Sequence, residues 1–191
     1  MTPTPFFEMT PTPFSLSADD FTVFGLPPRY ALDAADLDKR WRDLQARVHP
    51  DRFAAEGAAA QRVAMQWSVR VNEAYRRLKD PIQRGALLCE LQGIPIDAER
   101  NTAMPPAFLV QQMEWREALE EAGTADAVAD LEARVRAESR AMQARLAVFI
   151  DGQEGSAPDL NAAAQQVRAL MFVQRFLQDI ARRADRFDRA S

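Results

Sequence analysis

From Ser17 onward the apolar residues of this chain recur at intervals of three and four, and the pattern is interrupted chiefly at prolines and glycines. No segment of useful length alternates with a period of two, so the chain is predicted to be all-α. The interruptions then place the helices. Ser17 is positioned to cap a short helix holding Phe21 and Phe24, which Gly25 and Pro27 end. Asp33 caps a second helix. At about 100° per residue its Leu37, Trp41, Leu44 and Val48 fall within about 60° of one another, a single buried stripe. That helix must stop near Pro50, because the residue before a proline is pushed out of the helical region, and residues 49–57 are predicted to be a loop. A third helix is expected over residues 59–79, with Ala64, Trp67, Ser68, Val71, Ala74, Tyr75 and Leu78 inward. Asp80-Pro81 ends it and opens a fourth, with Pro81 tolerated in the first turn, Ile82, Leu87, Leu88 and Leu91 as its apolar residues, and Gly93 closing it.

The flanking segments set the domain plan. The phrase Met1-Thr-Pro-Thr-Pro-Phe6 recurs as Met9-Thr-Pro-Thr-Pro-Phe14. Its alternating prolines remove backbone donors, so residues 1–16 are expected to be a disordered tail, within which Met9 offers a second start. Residues 17–94 form the expected first domain. Residues 95–106, with Pro95, Pro105 and Pro106, are the expected linker. Three helices over about 107–122, 125–150 and 159–187, with short connections, predict an antiparallel three-helix bundle spanning 107–191.

Composition excludes several classes of function. The chain has 191 residues and a net charge of -4, which argues against a global attraction to nucleic acid. No apolar run approaches the ~18 residues that span a bilayer. No Lys or Arg stands between Met1 and Asp20, unlike a signal or transit peptide; a bacterial cytoplasmic protein is expected. One cysteine and one histidine, Cys89 and His49, are too few for a Cys/His zinc site or an internal disulfide. Cys89 lies in the apolar run Ala86-Leu87-Leu88-Cys89 and reads as a small buried hydrophobe. No bound metal or cofactor is expected.

The most informative feature is a constellation. A helix with basic residues ends in His49-Pro50-Asp51; a polar, alanine-rich stretch follows; a long helix then ends Asn72-Glu73-Ala74-Tyr75-Arg76-Arg77-Leu78-Lys79-Asp80-Pro81, with Arg84 just beyond. Between Lys39 and Arg52 stand five basic residues (Lys39, Arg40, Arg42, Arg47, Arg52) and two acidic ones (Asp43, Asp51), a local +3 able to steer an acidic partner surface. Pro50 fixes the chain direction, Asp51 offers a carboxylate to an arginine, and His49 presents a ring; alone, His49 also reads as a helix C-cap histidine. No carboxylate pair or nucleophile and base accompanies them, so a catalytic role is not expected.

The constellation resembles the J domain of DnaJ-type co-chaperones. The opening Phe21-Thr-Val-Phe-Gly-Leu-Pro-Pro-Arg-Tyr30, the stretch Asp43-Leu-Gln-Ala-Arg-Val-His-Pro-Asp-Arg-Phe53 and the second-domain segment beginning Ala107-Phe-Leu-Val-Gln-Gln-Met-Glu-Trp115 are similar to the HscB branch, over residues 20 to 188 or so. A Gly/Phe-rich linker and cysteine zinc repeats are missing, as is the N-terminal cysteine motif of some eukaryotic relatives. The resemblance implies a J domain, a helical hairpin with a His-Pro-Asp loop, that binds an HscA/DnaK-class ATPase through His49, Pro50, Asp51, Lys39, Arg40 and Arg47 and triggers its hydrolysis. Monomeric behaviour is implied likewise.

A second surface follows from helical angles. Gln112, Trp115, Leu119 and Ala122 lie within about 40° of Phe108, the expected core stripe. Leu109, Val110 and Met113 fall away from it, among Glu114, Glu117, Glu120 and Glu121, so the outer face is apolar and acidic together. On the last helix the expected core stripe is Ala163, Gln166, Leu170, Val173, Leu177, Ile180 and Ala184, and Phe172 points away, an exposed aromatic. The HscB resemblance implies that Leu109, Val110, Met113, Glu114, Glu117, Glu121 and Phe172 hold the iron–sulfur scaffold protein IscU. A general J-domain co-chaperone presenting unfolded clients is the first competing reading, and a helical scaffolding module with no ATPase partner is the second.

Overall fold

A computed structural model of the chain describes residues 15–97, 104–153 and 157–189. The repeated phrase, most of the expected tail and the middle of the expected linker lie outside the described residues. Seven α-helices run α1 (Asp20–Phe24), α2 (Ala34–Val48), α3 (Ala58–Lys79), α4 (Pro81–Leu91), α5 (Pro106–Glu121), α6 (Ala125–Asp151) and α7 (Leu160–Asp188). The chain divides into two compact units, residues 1–84 and 85–191, the division falling inside α4.

In the first unit α1 is capped by Asp19 and not by Ser17. The Asp19 carboxylate accepts from the Thr22 amide at 3.0 Å and from its hydroxyl at 2.6 Å, while Ser17 shares its hydroxyl with Ser15 upstream. The Gly25 amide turns back onto the last turn at φ 61, a left-handed position that suits glycine. Asp33 caps α2 as expected, accepting from Ala35 and Asp36. Leu37, Leu44 and Val48 are buried. Trp41, counted with them, is half-buried because it faces the α2–α3 seam. There its ring stacks on Tyr75 with centroids 4.6 Å apart, and its indole N–H donates to the Asn72 carboxamide oxygen at 3.0 Å. Gln45 donates to the same oxygen at 2.6 Å, and Ser68 donates to Gln45. One turn on, the Tyr75 hydroxyl donates to Asp38 at 2.8 Å and Lys79 reaches Asp38 at 3.2 Å. These hydrogen bonds, Tyr75 first and Lys79 second, hold the Asp38 carboxyl below its ordinary range. The ladder sets the register of α2 against α3, since hydrogen bonds are directional where apolar contact is not.

The chain between α2 and α3 is ordered where a loop was expected. Residues Pro50–Glu56 form a 3-10 helix. Pro50 ends α2, but its fixed φ also suits the first position of a new helix. None of its residues is buried. At the other end of α3, Asp80 accepts from the amides of Ile82 and Gln83 and so caps α4. Arg84 donates to the Leu78 carbonyl at 2.5 Å and lies over the Tyr30 ring. The Asp-Pro and Arg84 features thus join two helices end to end.

The second unit contains the greater part of α4, with Ala86, Leu87, Leu88 and Cys89 buried. Leu91, expected inward, is exposed at the last turn, where the chain reverses through Gly93 at φ 78. Ile96, in the stretch read as linker, is buried, and its carbonyl accepts from the buried Arg168 at 3.1 Å. Helices α6 and α7 run antiparallel: Phe149 accepts from Asp159, and Met142 from Gln166, so one number falls as the other rises. Helix α5 runs parallel to α7, Phe108 meeting Phe172 and Trp115 meeting Phe176.

The core of α7 is broader than its expected stripe. Val167 and Phe176 are buried, while Gln166, Leu177 and Ala184 are half-buried. A helix packed against two neighbours buries more than one stripe. Cys89 has no exposed surface, and burial, assisted by the charge of Glu90, pushes its thiol up to about 11. Iodoacetamide at pH 8 should therefore leave the native protein unlabelled and label it after denaturation, because the thiolate is the nucleophile; rapid native labelling, read by mass spectrometry, would contradict this placement.

Candidate functional site: an exposed tripeptide and an apolar, acidic helix face

His49 stands where α2 hands over to the 3-10 helix. Its backbone is extended, at φ -63 and ψ 128, so the ring leaves the helix axis. The ring is not a cap for the last carbonyls of α2. Its Nδ1 instead accepts from the Asp51 amide at 3.3 Å. With Nδ1 accepting, the neutral ring carries its proton on Nε2, which becomes its donor to a visitor. The same Nδ1 lies 3.6 Å from the Asp51 carboxylate. The two side chains are 57% and 89% exposed, so the tripeptide is open to a docking surface. Arg52 ties the following turn back to the Ala46 carbonyl at 3.1 Å.

The basic residues named with the tripeptide divide. Lys39 and Arg47 are exposed on the outer face of α2, together with Arg42 and Asp43. Arg40 is half-buried and does a different job: it pairs with Asp36 at 2.9 Å and donates to the carbonyls of Phe24 and Gly25 at 3.1 and 3.3 Å. Its charge completes the C-terminus of α1, so Arg42 replaces it on the accessible basic face. Helical angles alone place Arg40 on the flank of α2; what it reaches depends on α1, which they do not locate.

On the second unit, Leu109, Val110 and Met113 are 46%, 55% and 62% exposed. Glu114, Glu117, Glu120 and Glu121 are exposed on the same helix. Phe108 and Trp115 are buried beneath, as the angles require. Phe172 is corrected: it is half-buried and belongs to an aromatic ladder, edge-on to Phe108 at 5.9 Å and stacked on Phe176 at 6.2 Å. The Arg116 guanidinium lies 5.6 Å over its ring. Phe172 reaches α5 because the two helices run parallel, which angles on one helix cannot reveal. Beside the patch, Val110 and Glu114 border a cleft of about 690 Å³ between α5, α6 and α7, with Phe108, Met142 and Phe149 among its lining.

Among the described residues no helix is long and apolar enough to cross a membrane, and no group of three His, Cys, Asp or Glu side chains is placed to hold a metal ion. The surfaces present are thus recognition surfaces built from exposed rings, carboxylates and apolar side chains.

Comparison with known proteins agrees with this division. Residues 104–181 match the family model described as the HSCB C-terminal oligomerisation domain. The co-chaperone protein HscB homolog of Burkholderia multivorans is 49% identical over 177 residues, 91% of this chain and 98% of that protein. Chaperone HscB from Vibrio cholerae superposes with a TM-score of 0.74 at 34% identity, over 88% of this chain and 99% of that one. The human co-chaperone protein HscB superposes with a TM-score of 0.80 at 26% identity, over 88% and 83%. An all-helical chain with an exposed His-Pro-Asp turn and an apolar, acidic helix, so related along nearly its whole length, belongs to the HscB family of co-chaperones.

Proposed function

We propose that this chain stimulates an HscA/DnaK-class ATPase and delivers an IscU-type scaffold protein to it, assisting the maturation of iron–sulfur proteins in the bacterial cytoplasm. The observation that carries the reading is the exposed His49-Pro50-Asp51 turn, with Nε2 of the ring and the Asp51 carboxylate both available to a partner. Residues 17–94 dock on the ATPase through this turn and the face bearing Lys39, Arg42 and Arg47. Residues 107–191, joined by 95–106, hold the client on Leu109, Val110 and Met113 within a rim of Glu114, Glu117 and Glu121. Phe172 supports that patch from below through Phe108. The acidic rim selects a client surface that is apolar and basic, mainly through encounter rate and register.

Linking the two sites makes client and ATPase meet at an effective concentration set by the chain between them, without new contacts. The chemistry of hydrolysis stays with the partner. Steady-state ATP hydrolysis by HscA with IscU, this chain added or omitted, tests the reading. Stimulation is expected; an unchanged rate rejects it in favour of a scaffolding module. Replacing Leu109, Val110 and Met113 together by alanine should weaken IscU binding by about tenfold or more and leave stimulation without IscU intact. Unchanged affinity, measured by calorimetry, would remove the patch, and suppression of aggregation of unrelated proteins without IscU binding would favour a general client-presenting co-chaperone.

A further inference from the structure

Among the described residues of the first unit, the large side chains left exposed are Leu16 (43%), Val63 (43%), Met65 (59%) and Val69 (53%). Three of the four stand on α3, and the fourth is held against it. Arg70 of α3 donates through Nε to the Leu16 carbonyl at 3.2 Å and through its terminal nitrogen to the Ala18 carbonyl at 2.6 Å. The anchor is firm, because the same guanidinium pairs with the buried Asp20 carboxylate at 2.7 Å. The chain that precedes Ser15 therefore departs from the flank of α3, beside the exposed apolar residues.

That preceding chain is the duplicated phrase, residues 1–14. It holds three phenylalanines, two methionines, four prolines and a single charged residue, Glu8. Such a segment is too apolar for a solvating tail, and its prolines favour an extended form whose backbone needs no partner strand. At about 3.1 Å per residue it reaches about 43 Å. Helix α3, with 22 residues, is about 33 Å long at about 1.5 Å per residue. Val63 is seven positions before Arg70, about 10 Å along the axis. Going round the helix in one direction from Val63, Gln66 lies at about 60°, Val69 at about 120° and Met65 at about 160°. The exposed apolar residues thus trace a path from the Arg70 flank across the outer face of α3, with Arg62 on the same face to receive Glu8.

We infer that residues 1–14 dock on the outer face of α3, placing phenylalanines against Val63, Met65 and Val69. The docked segment covers an apolar face that would otherwise meet other proteins indiscriminately. Because the phrase is written twice, either copy supplies the same Thr-Pro-Thr-Pro-Phe contact, and the copy nearer the anchor, ending at Phe14, needs the shorter reach. The segment acts at the millimolar effective concentration typical of a short tether, so contact is held without high intrinsic affinity.

The test compares the full chain with a chain lacking residues 1–14 by methyl NMR. Docking predicts that the methyl signals of Met65 and Val69 shift on deletion while those of Val135 and Leu146, buried in the second unit, do not. Removing residues 1–8 alone, which leaves one copy, should give signals close to those of the full chain. A synthetic peptide of residues 1–14, titrated to the millimolar range, should restore the shifts. In the full chain, Val69→Glu should move the Met65 signal toward its position in the deleted form. Identical Met65 and Val69 signals with and without the segment would overturn the inference. Signals that change with protein concentration in the full chain would overturn it too, by assigning the face to a second copy.

Discussion

Replacing His49 by alanine should abolish stimulation of the partner ATPase while the protein keeps its melting temperature. Both halves follow from the same geometry. The side chain is more than half exposed, and its intramolecular hydrogen bond is one acceptance from the Asp51 amide at 3.3 Å. Removing it leaves an exposed amide that water satisfies, so the folded state loses within about 0.5 kcal/mol, as surface substitutions usually do. The partner loses a ring donor from the centre of a small docking surface. Truncating such a residue costs about 2 kcal/mol or more, about thirtyfold in affinity, and an ATPase trigger that depends on orientation loses further when the donor is gone. Turnover of HscA with the variant, beside a thermal melt, reads both quantities. A variant that melts far earlier would make the histidine structural. One that stimulates normally would take the trigger away from this turn. His49→Gln, which preserves polarity but changes the reach and shape of the donor, should recover little stimulation.

The molecule was legible in its sequence wherever one helix buries one face. The stripe Leu37, Leu44 and Val48 is buried, and so is the Phe108, Trp115 and Ala122 stripe with Leu109, Val110 and Met113 outward. These readings use only an internal period. The departures arise where a side chain answers to a second element. Trp41 has the right angle for the core, yet its indole N–H needs an acceptor and finds Asn72 across the seam. Arg40 looks like part of a basic face and is instead consumed at the end of α1. Phe172 looks stranded, but a parallel neighbour brings Phe108 to its edge. Pro50 stops one helix and starts another, and only the stop is visible in a rule about the residue before proline. The motif Asn-x-Ala-Tyr-x-x-Leu-x-Asp-Pro shows how recognition and physics differ. The sequence identifies it by resemblance; the structure supplies a reason for the positions of Asn72, Tyr75, Leu78 and Asp80, as acceptor for α2, stacking partner, core residue and cap.

Nothing in the helical period marked Asp20, and its replacement by asparagine should give the largest loss of stability of any single change proposed for the first unit. The carboxylate is 1% exposed and lies 2.7 Å from Arg70 and 3.3 Å from Arg77. A buried charge of this kind is stable only while its partners remain, and breaking such a pair costs about 3–5 kcal/mol. The lower end applies here, because the Arg77 side chain is 46% exposed and can turn to water. Arg70 cannot do so freely: its side chain is 17% exposed and is also bonded to the carbonyls of Leu16 and Ala18. Losing the charge at Asp20 therefore loosens α1, its approach and its seat on α3 together. Urea unfolding in a Trp115→Phe background, followed through Trp41 and Trp67, isolates the first unit. With a slope of about 1–3 kcal/mol per molar urea, a loss of about 3 kcal/mol moves the midpoint down by about one molar or more. Pairing Asp20→Asn with Arg70→Met should cost less than the sum of the two single changes, because the second removes the charge that the first strands. An unchanged midpoint for Asp20→Asn, or strict additivity in the cycle, would mean that apolar contacts of Phe21 and Phe24 alone hold α1 in place.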